Sequence, residues 1–219
     1  GAPQSTYSDH FLGTQPIDGA MGFKLEMAPV HPVLYAITVN GMAAHHRARI
    51  MNLANTQVMI ALCRDGFHPD SEGGVVTLRD DGFPSLDYPL NAFFFDAARR
   101  ALLAMAEIQF AAGAKEVFPV DERVSGYRSW AEAKAGLSAL DLRPYSTRVA
   151  SAHVMGGCMM SATEKDGVVN VYGRHHQIEN LSVIDGSVFP TSIGANPQLS
   201  IYALSWRNAA KLAGELHRP

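Results

Sequence analysis

The stretch "GGVVTLRDDGFPSLDYPLNAFFFDAARRALLAMAEIQFAAGA" (73–114) sets two β-type runs directly before one long helical run. Residues 75–79 and 84–90 flank Asp-Asp-Gly-Phe, and an Asp-Gly pair supplies the backbone freedom that a tight hairpin turn needs. Asn91 then stands where a helix N-cap belongs. Alanines and leucines fill the interior, and Gly113 offers the left-handed residue that ends a helix. Adjacent strands followed by a helix predict an α+β class, a mixed or antiparallel sheet with helices on one face.

The flanking sequence extends this pattern. Residues 1–20 show no periodicity and read as extended chain or loop. "GFKLEMAPVHP" (22–32) alternates around Phe23, Leu25 and Met27, a strand that Pro29 and Pro32 should end. The region 33–64 is mixed: 41–54 reads as helix, and the apolar run 56–64 as a buried strand. Residues 116–120 predict a short strand and 127–140 a helix, with Ser129 and Glu132 spaced as a capping box. Residues 168–173 and 180–190 carry strand patterns broken by turns. The segment 196–217 predicts a closing helix, with Asn196 as cap and Pro197 at its first position.

Composition bounds the function. With 219 residues, 47% hydrophobic and 18% charged, the chain can bury a sizeable core in one large or two small domains, as a soluble globular protein does. A formal net charge of −3 gives no reason to expect nucleic acid or an anionic membrane surface as partner. No run of eighteen apolar residues suggests a transmembrane segment, and the first ten residues do not read as a signal peptide. Two cysteines, Cys63 and Cys158, exclude a disulfide framework and a four-cysteine zinc site. Neither G-x-G-x-x-G nor G-x-x-x-x-G-K-[ST] occurs, so the chain lacks a dinucleotide phosphate loop of its own.

The candidate chemistry lies in the last third. "SAHVMGGCMMS" (151–161) sets His153 three residues before Gly156-Gly157. Histidine is the natural proton acceptor near neutral pH, and glycines can fix a loop that aims it. A structural histidine at a turn is the competing reading. Cys158, Met155, Met159 and Met160 read as packing, because no basic neighbour in sequence activates the thiol. The adjacent pairs His45-His46 and His175-His176 diverge on any regular backbone, and no ligand spacing points to a metal. Asn196-Pro197 opens a helix whose free N–H groups and positive dipole end favour an electron-rich group. Asp185 ends an apolar run before Gly186, and could cap a turn or face a ligand.

Taken together, His153 with its glycine turn, the strand from Gly167, "NLSVIDGSVFPT" (180–191) and Asn196 before a long helix resemble the C-terminal signature of the glucose–methanol–choline oxidoreductases. That family comprises FAD-dependent alcohol oxidases and dehydrogenases. His153 and Asn196 stand 43 positions apart, as the pattern requires. Met159, Met160 and Ser161 replace the Arg-Met-Gly usual in the family turn. The stretches 22–32, 73–91 and 111–118 resemble the family's substrate-binding portion, with detail leaning to the long-chain alcohol branch.

The resemblance implies three parts: an extended segment 1–20, a substrate-binding α+β domain 21–150, and a catalytic loop with a C-terminal segment, 151–219, that completes the flavin domain. The N-terminal FAD-binding half would be a partner outside this chain. It further implies oxidation of a primary or secondary alcohol, apolar in the long-chain branch, by hydride transfer to flavin N5. His153 would be the base and Asn196 the orienting group. Asp185, Gly186, Asn196, Pro197 and Gln198 would face FAD, with no metal involved. Two other readings are an isolated module that only binds substrate or partner, and a metal-dependent hydrolase, for which ligand spacing is lacking.

Overall fold

In the computed structural model the described residues are 6–9, 19–28, 30–66, 68–71 and 73–216, with backbone alone at 6–9. They divide into two compact units: residues 1–63 with 90–150, and residues 64–89 with 151–219.

The first unit is built on three antiparallel strands in the order β1 (Thr6–Asp9), β2 (Phe23–Ala28), β3 (Val58–Cys63). Strand β2 alternates as its sequence requires. Phe23 and Leu25 are buried, whereas Lys24 and Glu26 share the other face and pair at 2.5 Å. The register sets Phe23 opposite Cys63, Leu25 opposite Ala61 and Met27 opposite Met59, so one apolar face is continuous across both strands. Helix α3 (Ala92–Ala111) covers that face and presents Ala101, Ala104 and Met105. Each large side chain buried there contributes about 1.5–3 kcal/mol.

Helix α3 starts as its sequence predicts: Asn91 Oδ1 accepts from Phe94 N–H at 3.1 Å. It ends before Gly113 at φ +94°, beyond the reach of a β-carbon without strain. Its far end packs on α4 (Trp130–Ala139) through Ala106, Val117, Ala133 and Leu137. Ser129 Oγ accepts from Glu132 N–H at 3.2 Å. The Glu132 carboxylate accepts from Arg128 N–H at 2.9 Å, one residue outside the usual reciprocal partner.

Four expectations for this unit are corrected. Pro32 does more than follow the β2 strand: it opens helix α1 (Pro32–Thr38), where a missing N–H costs nothing. The expected helix over 41–54 is α2 (Ala43–Met51) followed by a short 3-10 turn, Leu53–Asn55. Strand β3 is half-buried instead of buried, with Ile60 at 41% exposure, because among the described residues it pairs only with β2 and α3 covers one face. The run 116–120 forms no strand; it makes a single bridge, Val117 to Tyr127.

The second unit holds the predicted hairpin, β4 (Val75–Leu78) and β5 (Pro84–Asp87), closed by Arg79 N–H donating to Phe83 C=O at 2.9 Å. Gly82 takes φ +80° in its turn. The strand patterns at 168–173 and 180–190 become isolated bridges, Val169–His175 and Arg174–Ser182, plus a 3-10 turn at Gly186–Val188. These short crossings satisfy backbone groups without a continuous ladder. Helix α5 (Gln198–Leu216) closes the unit.

Candidate active site

The loop 151–161 is stitched on two sides. Cys158 N–H donates to Ser187 C=O at 3.0 Å and Met160 N–H to Val188 C=O at 2.8 Å. Ser161 N–H donates to Val169 C=O at 2.9 Å, and Met160 bridges Val169 in parallel. Of the glycine pair, only Gly156 is conformationally demanded, at φ +85°. A β-carbon there would sit in ordinary contact, 3.8 Å from Pro190 O. One at Gly157 would meet nothing within 4 Å. His153 is half-buried at the start of this loop, and its ring makes no hydrogen bond to another described residue.

The 3-10 turn 186–188 sits between that loop and α5. A β-carbon on Gly186 would lie 2.9 Å from Ile201 Cδ1 and 3.6 Å from Val154 O. The neighbour of His153 and the first turn of α5 therefore meet across Gly186. Asp185 caps the turn locally: its Oδ1 accepts from Ser187 N–H at 2.8 Å and from Ser187 Oγ at 2.6 Å.

The start of α5 differs by one residue from the sequence expectation. Ile201 N–H donates to Pro197 C=O at 2.8 Å, so Pro197, buried, holds the N-cap position and Asn196 precedes it, exposed. The carbonyl of proline is an unimpaired acceptor even though its nitrogen donates nothing. Gln198, Leu199 and Ser200, all exposed, form the first turn of α5 at the positive end of its dipole. Gln198 Nε2 donates to Tyr202 Oη at 2.7 Å, along the helix.

Helix α5 is anchored by its later turns. Asn208 is 1% exposed beside Gly173, Arg207 donates to Val171 C=O, and Arg174 pairs with Glu215 at 2.6 Å. The approach to Asn196 is pinned by Thr191 Oγ1 donating to Gly66 C=O.

The remaining candidates resolve into local roles. His175 Nδ1 accepts from Gln177 and Ile178 N–H at 3.1 and 3.0 Å, closing a turn. His176 Nε2 lies 3.3 Å from Ser161 Oγ, and His46 Nε2 lies 2.8 Å from Ala36 O. Cys63 and Cys158 are free thiols. Met159 is 38% exposed, so the sulfur-rich run is only partly packing. Among the described residues no group of three or more His, Cys, Asp or Glu is placed to hold a metal, and no helix is long and apolar enough to cross a membrane. Ser187, Val188 and Ile201, which hold the loop against α5, carry no sequence signal, because two act through backbone carbonyls and one through simple bulk.

Comparison with known proteins bears on the family of the chain. A GMC oxidoreductase family model matches residues 69–205. A long-chain-alcohol oxidase of Arabidopsis thaliana is 25% identical over 190 residues, covering 83% of this chain and 25% of that protein. An uncharacterized GMC-type oxidoreductase of Sinorhizobium fredii is 30% identical over 143 residues, 64% of this chain and 28% of that protein. A cholesterol oxidase of Acinetobacter baumannii is 42% identical over 57 residues, 26% of this chain and 10% of that protein. The chain thus spans about a quarter of the length of the first two relatives. With more than half of its residues matched by the family model, it belongs to the GMC oxidoreductase family.

Proposed function

We propose that this chain is the substrate-binding and catalytic C-terminal portion of an FAD-dependent alcohol oxidoreductase. One observation carries the reading: in a GMC family chain, the histidine loop and the first turn of α5 converge on Gly186. Residues 21–150 would hold the alcohol, apolar if the similarity to long-chain-alcohol oxidases extends to substrate. Residues 151–219 would complete the flavin site.

The residues present fit the reacting end of FAD. The start of a 19-residue helix, at the positive end of its dipole, suits a ring that gains negative charge. They do not fit its pyrophosphate, for which this sequence has no glycine loop. That function falls to the N-terminal half. Pro197, Gln198, Asn196, Gly186 and Asp185 would face the ring.

When bound, the flavin supplies the hydride acceptor for the alcohol carbon. His153 takes the hydroxyl proton on an imidazole nitrogen, leaving the oxygen electron pair to form the carbonyl. Asn196 Nδ2 donates to the same oxygen and orients it. The stitched backbone of 158–161 holds the later part of the same loop, and a base placed in advance lowers the reorganisation needed at proton transfer.

The test is His153→Ala in the full-length enzyme, followed by flavin absorbance near 450 nm. The expected result is retained yellow colour with alcohol-dependent bleaching slowed by about 100- to 10,000-fold. Bleaching at the wild-type rate would remove His153 as the base.

A further inference from the structure

The first unit buries a polar cluster that the proposed chemistry does not use. Arg49 of helix α2 is 7% exposed, and its guanidinium lies 3.7 Å over the Phe118 ring. It donates to two neutral carbonyls, Asn40 O at 3.4 Å and Ser125 O at 2.5 Å. Among the described residues no carboxylate oxygen lies within ion-pair distance of it; Glu116 acts on it only at longer range from an exposed position. A buried cation held only by neutral groups is unfavourable unless something supplies negative charge.

Two further buried donors lie at the neighbouring end of α1. Tyr35 and Asn40 are 6% and 8% exposed, and neither Tyr35 Oη nor Asn40 Nδ2 has a hydrogen-bond partner. Both belong to one end of α1: Val39 N–H donates to Tyr35 C=O at 2.9 Å, and Asn40 follows. Asn40 touches Arg49 through its main-chain carbonyl. Buried polar groups are nearly always partnered, so two orphans at the end of α1, next to a cation that among the described residues has only carbonyl partners, point to a guest. A water accepts two hydrogen bonds and carries no charge. An anion accepts from all three groups and neutralises the arginine.

We propose that Tyr35, Asn40 and Arg49 form a buried receptor for a small monovalent anion of the size of chloride or formate. The anion would accept from Tyr35 Oη, Asn40 Nδ2 and the guanidinium, and would lock the end of α1 onto α2. The site is independent of the alcohol-oxidising chemistry and stands whether or not that reading does.

The test uses the full-length enzyme in sodium chloride, sodium formate and sodium gluconate at matched ionic strength, gluconate being far larger than the other two anions. The melting temperature should rise saturably with chloride and formate and stay flat with gluconate. Tyr35→Phe removes one donor and should weaken the half-saturating concentration about tenfold. Arg49→Met should abolish the response; should that variant fail to fold, Tyr35→Phe still decides. Crystals grown in bromide should show an anomalous peak within hydrogen-bond distance of Tyr35 Oη and Asn40 Nδ2. Equal response to all three salts, an unchanged response in Tyr35→Phe, or water alone at that position would overturn the proposal.

Discussion

Asp121 and Arg123, two residues apart, form a forked ion pair inside the first unit. The fully buried carboxylate accepts from Arg123 Nε at 2.9 Å and Nη2 at 2.7 Å. It also accepts from the Arg123 backbone N–H at 3.0 Å and from Thr147 Oγ1 at 2.8 Å. Chiefly through the Arg123 side-chain bonds, and against the opposing effect of burial, its pKa lies below the ordinary carboxylate value. The folded pKa is therefore depressed. Its stabilisation is full above the unfolded-state value of about 3.9 and is lost as pH falls through the folded value.

Asp121→Ala should destabilise the chain by about 3 kcal/mol, because it strips a buried network of its acceptor. Urea denaturation at neutral pH measures that loss. The gap between variant and wild type should narrow progressively as pH is lowered from the ordinary carboxylate value of about 3.9, because protonation removes the contribution as pH falls through the depressed folded value. A gap that persists unchanged in acid would assign the effect to packing alone.

Gly173→Ala tests the crossing under α5. Gly173 has φ +78°, and a β-carbon would lie 2.3 Å from Val183 O and 3.3 Å from Asn208 Nδ2. Backbone cannot retreat as a flexible side chain can. A loss of about 2–4 kcal/mol follows, seen as a fall in melting temperature of roughly 5–15 °C.

Arg99→Met should loosen helix α4. The guanidinium donates to Leu137 O, Ser138 O and Leu140 O at 2.5, 3.0 and 2.7 Å, capping the helix C-terminus from α3. Methionine keeps the apolar stem and removes the donors. Faster amide exchange confined to 135–140, with a global loss of about 1–2 kcal/mol, is the expected outcome.

Asn196→Ala probes the proposed role of the residue before α5. If Asn196 donates to the reacting oxygen, kcat in the full-length enzyme should fall by about 10- to 100-fold while folding stability changes by less than ~1 kcal/mol. A large loss of stability with kcat unchanged would make Asn196 structural.

Much of the local structure was legible from sequence because short-range chemistry dictates it. Asn91 caps α3, Gly113 ends it, Ser129 caps α4, and the Asp-Gly pair turns the β4–β5 hairpin. Each of these effects acts within about four residues. The spacing of His153 and Asn196 was likewise visible as a pattern, though its chemistry was not.

The tertiary structure alone decided the rest. The apolar runs at 116–120, 168–173 and 180–190 have strand composition, yet among the described residues no neighbouring strand presents a continuous set of backbone partners, so they form isolated bridges. Pro32 starts a helix because its missing N–H falls where a helix needs none. Bringing the histidine loop to α5 depends on Ser187 and Val188 carbonyls and on the space at Gly186. A backbone carbonyl is chemically the same in every residue, so no sequence can announce which one will be used.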